Sequence, residues 1–455
     1  MKLPLRVSCM AAVLVGALPG QSFTLRQAVA EALERYPATK VSLEKMAAAA
    51  GAVNLARTAY LPRLDFSAQA SRATRNNVFG LLFPQAGVPG ISGPVLGTNS
   101  LESVWGSAVG LQFAWEPFDF GLRRTNVAQA EAGRRRAEAS VDRTRFEVAS
   151  AAADAFLTLV AAQQTAIAAE AGVRRSKVLQ TTVDALVNSQ LRPGADASRA
   201  RAEAAAAEIQ LIQAQQAIDA GKASLSQFVG TPPERISIQP DRLLNSLPDG
   251  APLPGDVASH PILVEQHAAI QEAEAAQRVL DKSYYPRFNL LGAIYGRGTG
   301  AMTDGTTMGG LSGLGPNIHN WAVGFAVTFP LLDLPSLKVR KEIAAHQQLA
   351  ETARYEKERQ DLSSELARAR AALEGARKVA QNTPVQVAAA RDAERQATAR
   401  YKAGLGTLIE VTDAQRLVTQ SEIEDNVARV AVWRAELGIR MAEGDLEPLL
   451  RRTGP

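Results

Sequence analysis

Trp321-Ala322-Val323-Gly324-Phe325-Ala326-Val327-Thr328-Phe329 alternates large apolar side chains with small ones, residue by residue. A period of two puts Trp321, Val323, Phe325, Val327 and Phe329 on one face of a strand and Ala322, Gly324, Ala326 and Thr328 on the other. An apolar face backed by small or polar residues suits a sheet bathed by lipid on one side. Three further segments keep the same rhythm. Leu64, Phe66, Ala68 and Ala70 alternate with Asp65, Ser67, Gln69 and Ser71. Val109, Leu111, Phe113 and Trp115 alternate with Ala108, Gly110, Gln112 and Ala114, and Phe288, Leu290, Gly292 and Ile294 with Asn289, Leu291, Ala293 and Tyr295. Strands are therefore expected over about 63–72, 105–115, 287–296 and 320–329. Trp105, Trp115, Phe118, Trp321 and Phe329 gather at their ends, as an aromatic girdle at the two membrane interfaces would require. A soluble β-sandwich edge can alternate in the same way, but four strands flanked by helices would leave such a sandwich uncovered.

Outward from the strands, each pair encloses a long loop rich in Gly, Ser, Asn and Pro, roughly 73–103 and 297–320. Loops of this length are uncommon in compact domains and natural on the outer face of a membrane barrel. Each pair begins at a Pro-Arg dipeptide, Pro62-Arg63 and Pro286-Arg287, and each follows a helical run that starts at Pro37 or Pro261. Long Ala-rich stretches come after both. The chain reads as one unit written twice: helix, two strands, helical hairpin. The expected organisation is an export signal over 1–20, a first repeat over 21–230 and a linker over 231–255. A second repeat over 256–445 and a C-terminal tail over 446–455 complete it. Membrane barrels need about eight strands or more, so four per chain require association of several chains.

The helical stretches are unusually long. No proline occurs between Gly121 and Pro193, so a helix from about Leu122 to Leu186 can extend ~100 Å. Phe146, Ala149, Ala153, Phe156 and Val160 step by three and four, and Ala204, Ala207, Leu211, Ala214, Ile218, Gly221, Leu225 and Phe228 hold the pattern longer. That spacing predicts antiparallel coiled-coil packing with close helix approach at the alanines. The second hairpin is expected from about Leu337 to Tyr401 and from about Leu408 to Met441. Asn382-Thr383-Pro384 reads there as an N-cap followed by a helix-starting proline, which predicts a break and room for a lateral domain.

Composition narrows the function. The 455 residues carry 50 Lys+Arg against 46 Asp+Glu, with the arginines interleaved among Glu and Ala on helices. These are solvated faces, and no nucleic-acid partner is expected. Lys2 and Arg6 precede an apolar core from Val7 to Ala17, the form of an export signal and too short for the ~20 residues of a membrane helix. Cys9, the single cysteine, lies in that segment without the context of a lipid-modified cysteine, so neither disulfide nor lipid anchor is expected. His260, His267, His319 and His346 form no ligand pattern, and no Gly-Lys-Ser/Thr phosphate loop occurs. Gly296-x-Gly298-x-Gly300 runs into more glycine rather than a helix. No enzyme, metal or cofactor is expected.

The hairpin turns carry the remaining signal. Val187-Asn188-Ser189-Gln190-Leu191-Arg192-Pro193 and Tyr401-Lys402-Ala403-Gly404-Leu405-Gly406-Thr407 align at an offset of 214 residues, and Asp196 and Glu410 then open the returning helices. A carboxylate there suits the positive end of the helix dipole. With the repeated half, the Pro-Arg strand starts and the Pro117-Phe118-Asp119-Phe120-Gly121 strand exit, the chain resembles the TolC-like outer membrane efflux and secretion channels, the outer membrane factors. The resemblance covers essentially the whole mature chain.

It implies a mainly α-helical fold with a transmembrane β-barrel. Three copies would share one 12-stranded barrel, four strands per chain, in the outer membrane of a Gram-negative bacterium. A long antiparallel coiled-coil tunnel would continue it through the periplasm, with an equatorial mixed region that the chain ends help build. The implied function is a passive gated exit duct of a tripartite efflux pump or type I secretion system. Its partners would be a periplasmic adaptor (membrane fusion) protein and an inner-membrane transporter. By the same resemblance Tyr401 matches a gate tyrosine and Asp196 its carboxylate partner. Glu410 and Asp413 match an acidic ring at the tunnel entrance, and Leu191, Gly404, Leu405 and Thr407 are expected to touch the adaptor. The family's gate arginine falls at Gly406, and Gln190 replaces a turn glycine, so the full set of gate links does not carry over. The alternative is a periplasmic coiled-coil adaptor or scaffold, which would carry one hairpin with compact β-domains and dissolve without detergent.

Overall fold

The computed structural model describes residues 21–74, 100–240, 243–244, 247–248, 257–302 and 306–453. The expected export signal and most of the first long loop lie outside them. In chain order the elements are β1 (Gln21–Phe23), α1 (Leu25–Arg35), α2 (Pro37–Thr58), β2 (Arg63–Thr74), β3 (Ser103–Phe118), α3 (Leu122–Asn188) and α4 (Gly194–Val229). They continue with β4 (Ile236–Ile238), α5 (Pro261–Lys282), β5 (Arg287–Thr299), β6 (Ile318–Thr328), α6 (Leu334–Lys402), α7 (Leu408–Glu443) and α8 (Glu447–Arg452). The fold is mostly helical and divides into two units. A strand unit comprises Lys45–Glu138 and Glu265–Tyr355, and a helical unit comprises Met1–Glu44, Ala139–Val264 and Glu356–Pro455.

In the strand unit the four alternating segments form one antiparallel sheet in the order β2-β3-β5-β6. The register aligns Phe66, Leu111, Ile294 and Trp321 in a single row across all four strands. Those side chains are 69%, 44%, 70% and 78% exposed. The neighbouring same-face row is Leu64, Phe113, Gly292 and Val323, while the reverse face carries Ser67, Gly110, Tyr295 and Asn320. One face is thus apolar from edge to edge and turned to its surroundings. At Gly110 a Cβ would lie 2.5 Å from that of Tyr295, so only glycine fits the pairing. Pro117 has no N–H for the ladder, and the β3–β5 register shifts between Trp115 and Phe118 as a bulge.

The strands run further than the alternation alone indicates, and β6 ends at Thr328, leaving Phe329 just beyond it. At the end of the sheet nearer the helices, Phe118 and Phe120 meet at 4.6 Å, Phe120 stacks on Tyr285 at 5.2 Å, and Phe329 meets Tyr284 at 5.4 Å. Trp115 donates its indole N–H to the Tyr60 carbonyl at 3.1 Å. Trp105 lies at the opposite end beneath Arg72. Trp321 is set inside β6, opposite Ile294. The exit into α3 turns sharply through Phe120 (φ 52°) and Gly121 (φ 92°). Buried Asp119 holds this corner by accepting from the N–H groups of Gly121 and Arg123 and from the Arg123 guanidinium.

In the helical unit the three-four seam is observed. Along α4 the buried positions are Ala197, Ala200, Ala204, Ala214, Gly221, Leu225 and Val229, all in the expected phase except the last. Gly221 lets α4 approach α3 until an added Cβ would sit 3.2 Å from a Leu159 methyl. Phe156, Leu157, Leu159 and Val160 of α3 lie in a core shared with β1, α1, β4, α7 and α8, so residues near both ends of the chain pack together there. β1 pairs in parallel with β4. The apolar composition of this part of α3 serves that core.

The expected break at Asn382-Thr383-Pro384 does not occur. Helix α6 is continuous over 69 residues with Pro384 inside it. An internal proline forfeits one helix hydrogen bond and costs about 3 kcal/mol, but the seam holds on both sides of it. Leu366, Leu373, Ala380, Val387 and Ala390 are all buried in heptad phase, and Thr383 falls on the same seam. The Thr383 hydroxyl, which would have capped a new helix, instead bonds Asp425 of α7 at 2.6 Å. Packing along the whole hairpin outweighs the local signal.

Candidate functional site

The two hairpin turns close by the same hydrogen bonds. Leu191 N–H donates to Leu186 C=O and Gln190 N–H to Val187 C=O. In the other turn Leu405 N–H donates to Arg400 C=O and Gly404 N–H to Tyr401 C=O. This Schellman closure needs one left-handed residue just past the helix. Gln190 (φ 59°) and Gly404 (φ 77°) fill that place. Leu191 and Leu405 follow, both largely exposed.

The helices restart differently. Thr407 begins α7 with a capping box: its hydroxyl accepts from Glu410 N–H and the Glu410 carboxylate accepts from Thr407 N–H. Glu410 also lies 3.6 Å from the Arg400 guanidinium. The expected ring residue is therefore occupied in its own turn, whereas Asp413, one helical turn on, is exposed. Pro193 begins α4 without a side-chain cap. Asp196 stands in the first turn of α4, where the dipole favours its charge.

Tyr401 is the largest fully buried side chain of the described residues, at 1% exposure. It packs with Leu179 and Val183 of α3, Ala200 of α4, and Leu408 and Val411 of α7, so all four helices of the two hairpins contribute to its pocket. Its hydroxyl donates to Asp196 Oδ2 at 3.3 Å, joining the residues expected to form the gate. Burial, and then the negative charge of Asp196, push the phenol pKa up, so Tyr401 stays a donor. Arg192, not among the expected site residues, also touches Tyr401. Its guanidinium lies 4.3 Å from the ring centroid, and Nη2 donates to the Tyr401 carbonyl at 2.6 Å.

Further links join the hairpins beyond the turns. Arg416 of α7 holds Glu203 of α4 through two bonds of 2.9 and 2.8 Å. Glu422 of α7 pairs across to Arg175 of α3 at 2.9 Å and, within its own hairpin, with Arg391 of α6 at 2.8 Å. Arg175 also donates to the Thr419 hydroxyl. Sequence reading missed these partners because pairs such as Glu203 and Arg416 lie far apart in the chain and belong to no local motif.

The model of the outer membrane efflux protein family matches residues 28–231 and 257–445. The chain belongs to that family. It is an efflux duct of the outer membrane, and the family is one of channels rather than enzymes. Solved structures of similar fold include the outer-membrane channel OprN, with 21% identity and a TM-score of 0.71 over 92% of this chain and 89% of that one. The CmeC outer membrane channel of Campylobacter jejuni shares 16% identity with a TM-score of 0.72, covering 98% of this chain and 93% of that one. The open state of the MtrE outer membrane channel of Neisseria gonorrhoeae is similar at 20% identity and a TM-score of 0.69, over 93% and 89% of the two chains. No curated protein matches the sequence significantly.

Proposed function

We propose that three copies of the chain close one 12-stranded barrel and that their helical hairpins form a gated periplasmic tunnel. The observation that carries this reading is the four-stranded sheet, with one face apolar and largely exposed along the rows of Phe66 and Leu64 and with β2 and β6 at its edges. In hydrocarbon every backbone N–H and C=O needs a partner, so the free edges of β2 and β6 require another chain. The two halves of the chain, each a helix, a strand pair and a helical hairpin, are read as a duplication. The two repeats would span about 21–230 and 256–445.

The Tyr401–Asp196 bond joins the second hairpin to the first and serves as a latch that must part when the tunnel widens. Asp413, with Glu410, places acids at the tunnel mouth, where three copies would favour cations. Leu191, Gly404, Leu405 and Thr407 present the turns to a periplasmic adaptor, and an inner-membrane transporter drives the export. Either a tripartite efflux pump or a type I secretion system would use such a passive duct. The Trp and Phe residues at the strand ends anchor the barrel at the interfaces.

Single-channel recording tests the latch. Tyr401→Leu combined with Asp196→Ala, which removes both the ring and the carboxylate, is expected to raise conductance over the wild type. Unchanged conductance would remove Tyr401 and Asp196 from the gate.

A further inference from the structure

We propose that the cation of the latch is supplied by Arg192, on the first hairpin turn, rather than by the second. The proposal rests on the reading of Tyr401 as a gate residue and adds a residue and a direction to it. Arg192 and Gly406 occupy the same place in their respective turns. Each lies two residues past the left-handed residue of a Schellman closure, Gln190 in one turn and Gly404 in the other. Position 406, where the resemblance puts an arginine, is glycine, and the arginine stands at the equivalent place of the other turn.

The geometry makes this more than a relocation of charge. The guanidinium stacks on the Tyr401 ring, and its Nη2 reaches the Tyr401 carbonyl near the C-terminus of α6. That carbonyl lies in the last turn of the helix, where the dipole is negative and a cation is favoured. One side chain thus grips both the ring and the backbone of the second hairpin, a combination that the planar fork of arginine allows and lysine does not. Pro193 helps by confining the residue before it to extended backbone. The converse contact has no partner: Val187 occupies the place in the first turn that Tyr401 occupies in the second. The Tyr401–Asp196 bond is longer, at 3.3 Å against 2.6 Å for the bond from Arg192. Arg192 is therefore the principal fastener and Asp196 the secondary one.

Single-channel recording on detergent-purified protein in planar bilayers separates the possibilities, with oligomeric mass and circular dichroism checked for each variant. Arg192→Gln is expected to raise the open probability about tenfold, as loss of a charged hydrogen bond with a stacked ring implies. Arg192→Lys should fall between it and the wild type. Tyr401→Phe keeps both groups that Arg192 grips and should stay nearly as closed as the wild type. Tyr401→Leu loses the ring and should open. A closed Arg192→Gln beside an open Tyr401→Leu would overturn the role of Arg192 and leave the tip latch standing. A closed Tyr401→Leu would overturn the latch itself, and Arg192 with it. Should Arg192→Gln fail to assemble, the Tyr401→Phe result decides: a channel as open as Tyr401→Leu would mean that the phenol–Asp196 bond, not Arg192, holds the tip.

Discussion

The first and second hairpin turns share one backbone path and differ in how they satisfy it. The second is self-contained: glycine takes the left-handed position, and Thr407 and Glu410 cap each other. The first puts Gln190 in the left-handed position and begins α4 at an uncapped proline. Its arginine reaches out to the other hairpin. A turn stable on its own can move as a body, whereas a turn that spends its side chains on its neighbour is held to that neighbour. The asymmetry makes the first turn the clasp and the second the part that is clasped.

The strongest test of that difference is truncation at the equivalent positions Tyr401 and Val187. Tyr401→Ala empties a buried aromatic site and should cost ~3–5 kcal/mol locally. Val187→Ala, at a half-buried position, should cost about 1 kcal/mol or less. Hydrogen exchange at the turns measures both, and equal losses would erase the distinction. A smaller effect is expected from exchanging the left-handed residues. Gln190→Gly should stabilise the first turn and Gly404→Gln destabilise the second, each by about 1–2 kcal/mol, because side chains strain that backbone region. A melting temperature lowered by Gln190→Gly or raised by Gly404→Gln would contradict the shared closure.

Smaller again is the cap. Thr407→Ala should cost about 1 kcal/mol, and Pro193→Ala less, since proline contributes mainly by restricting the unfolded chain. Melting temperatures of the two variants would show it. The pH dependence should be least visible. Because the Tyr401 pKa is raised, its contribution is complete below the ordinary tyrosine value of about 10 and is lost as pH rises through the folded value. Conductance of the wild type should therefore show no step attributable to Tyr401 between neutral pH and that value, and Tyr401→Phe should remove any step above it.

The strands were legible because lipid-facing alternation is a local property: Trp321 to Phe329 needs no knowledge of the rest of the chain. The register was not, since the row of Phe66, Leu111, Ile294 and Trp321 depends on pairing between distant segments. Long helices were read from the absence of proline, and that rule failed at Pro384, where a seam running along the whole hairpin overrode a local stop signal. Tyr401 and Asp196 were found through the resemblance, and the fold brings them together. Arg192 was visible as a residue of the turn, but its role depends on the ring opposite it, which no spacing within the turn encodes. Glu410 shows the reverse case: a local capping signal was present, and the structure uses it.

All of this depends on the sheet being completed by other copies of the chain. The native mass of the mature protein, extracted from the outer membrane in detergent, tests that dependence most directly. A trimer is expected, with twelve strands closing one barrel. A monomer or dimer that stays soluble without detergent would contradict the barrel and return the two hairpins to a periplasmic scaffold.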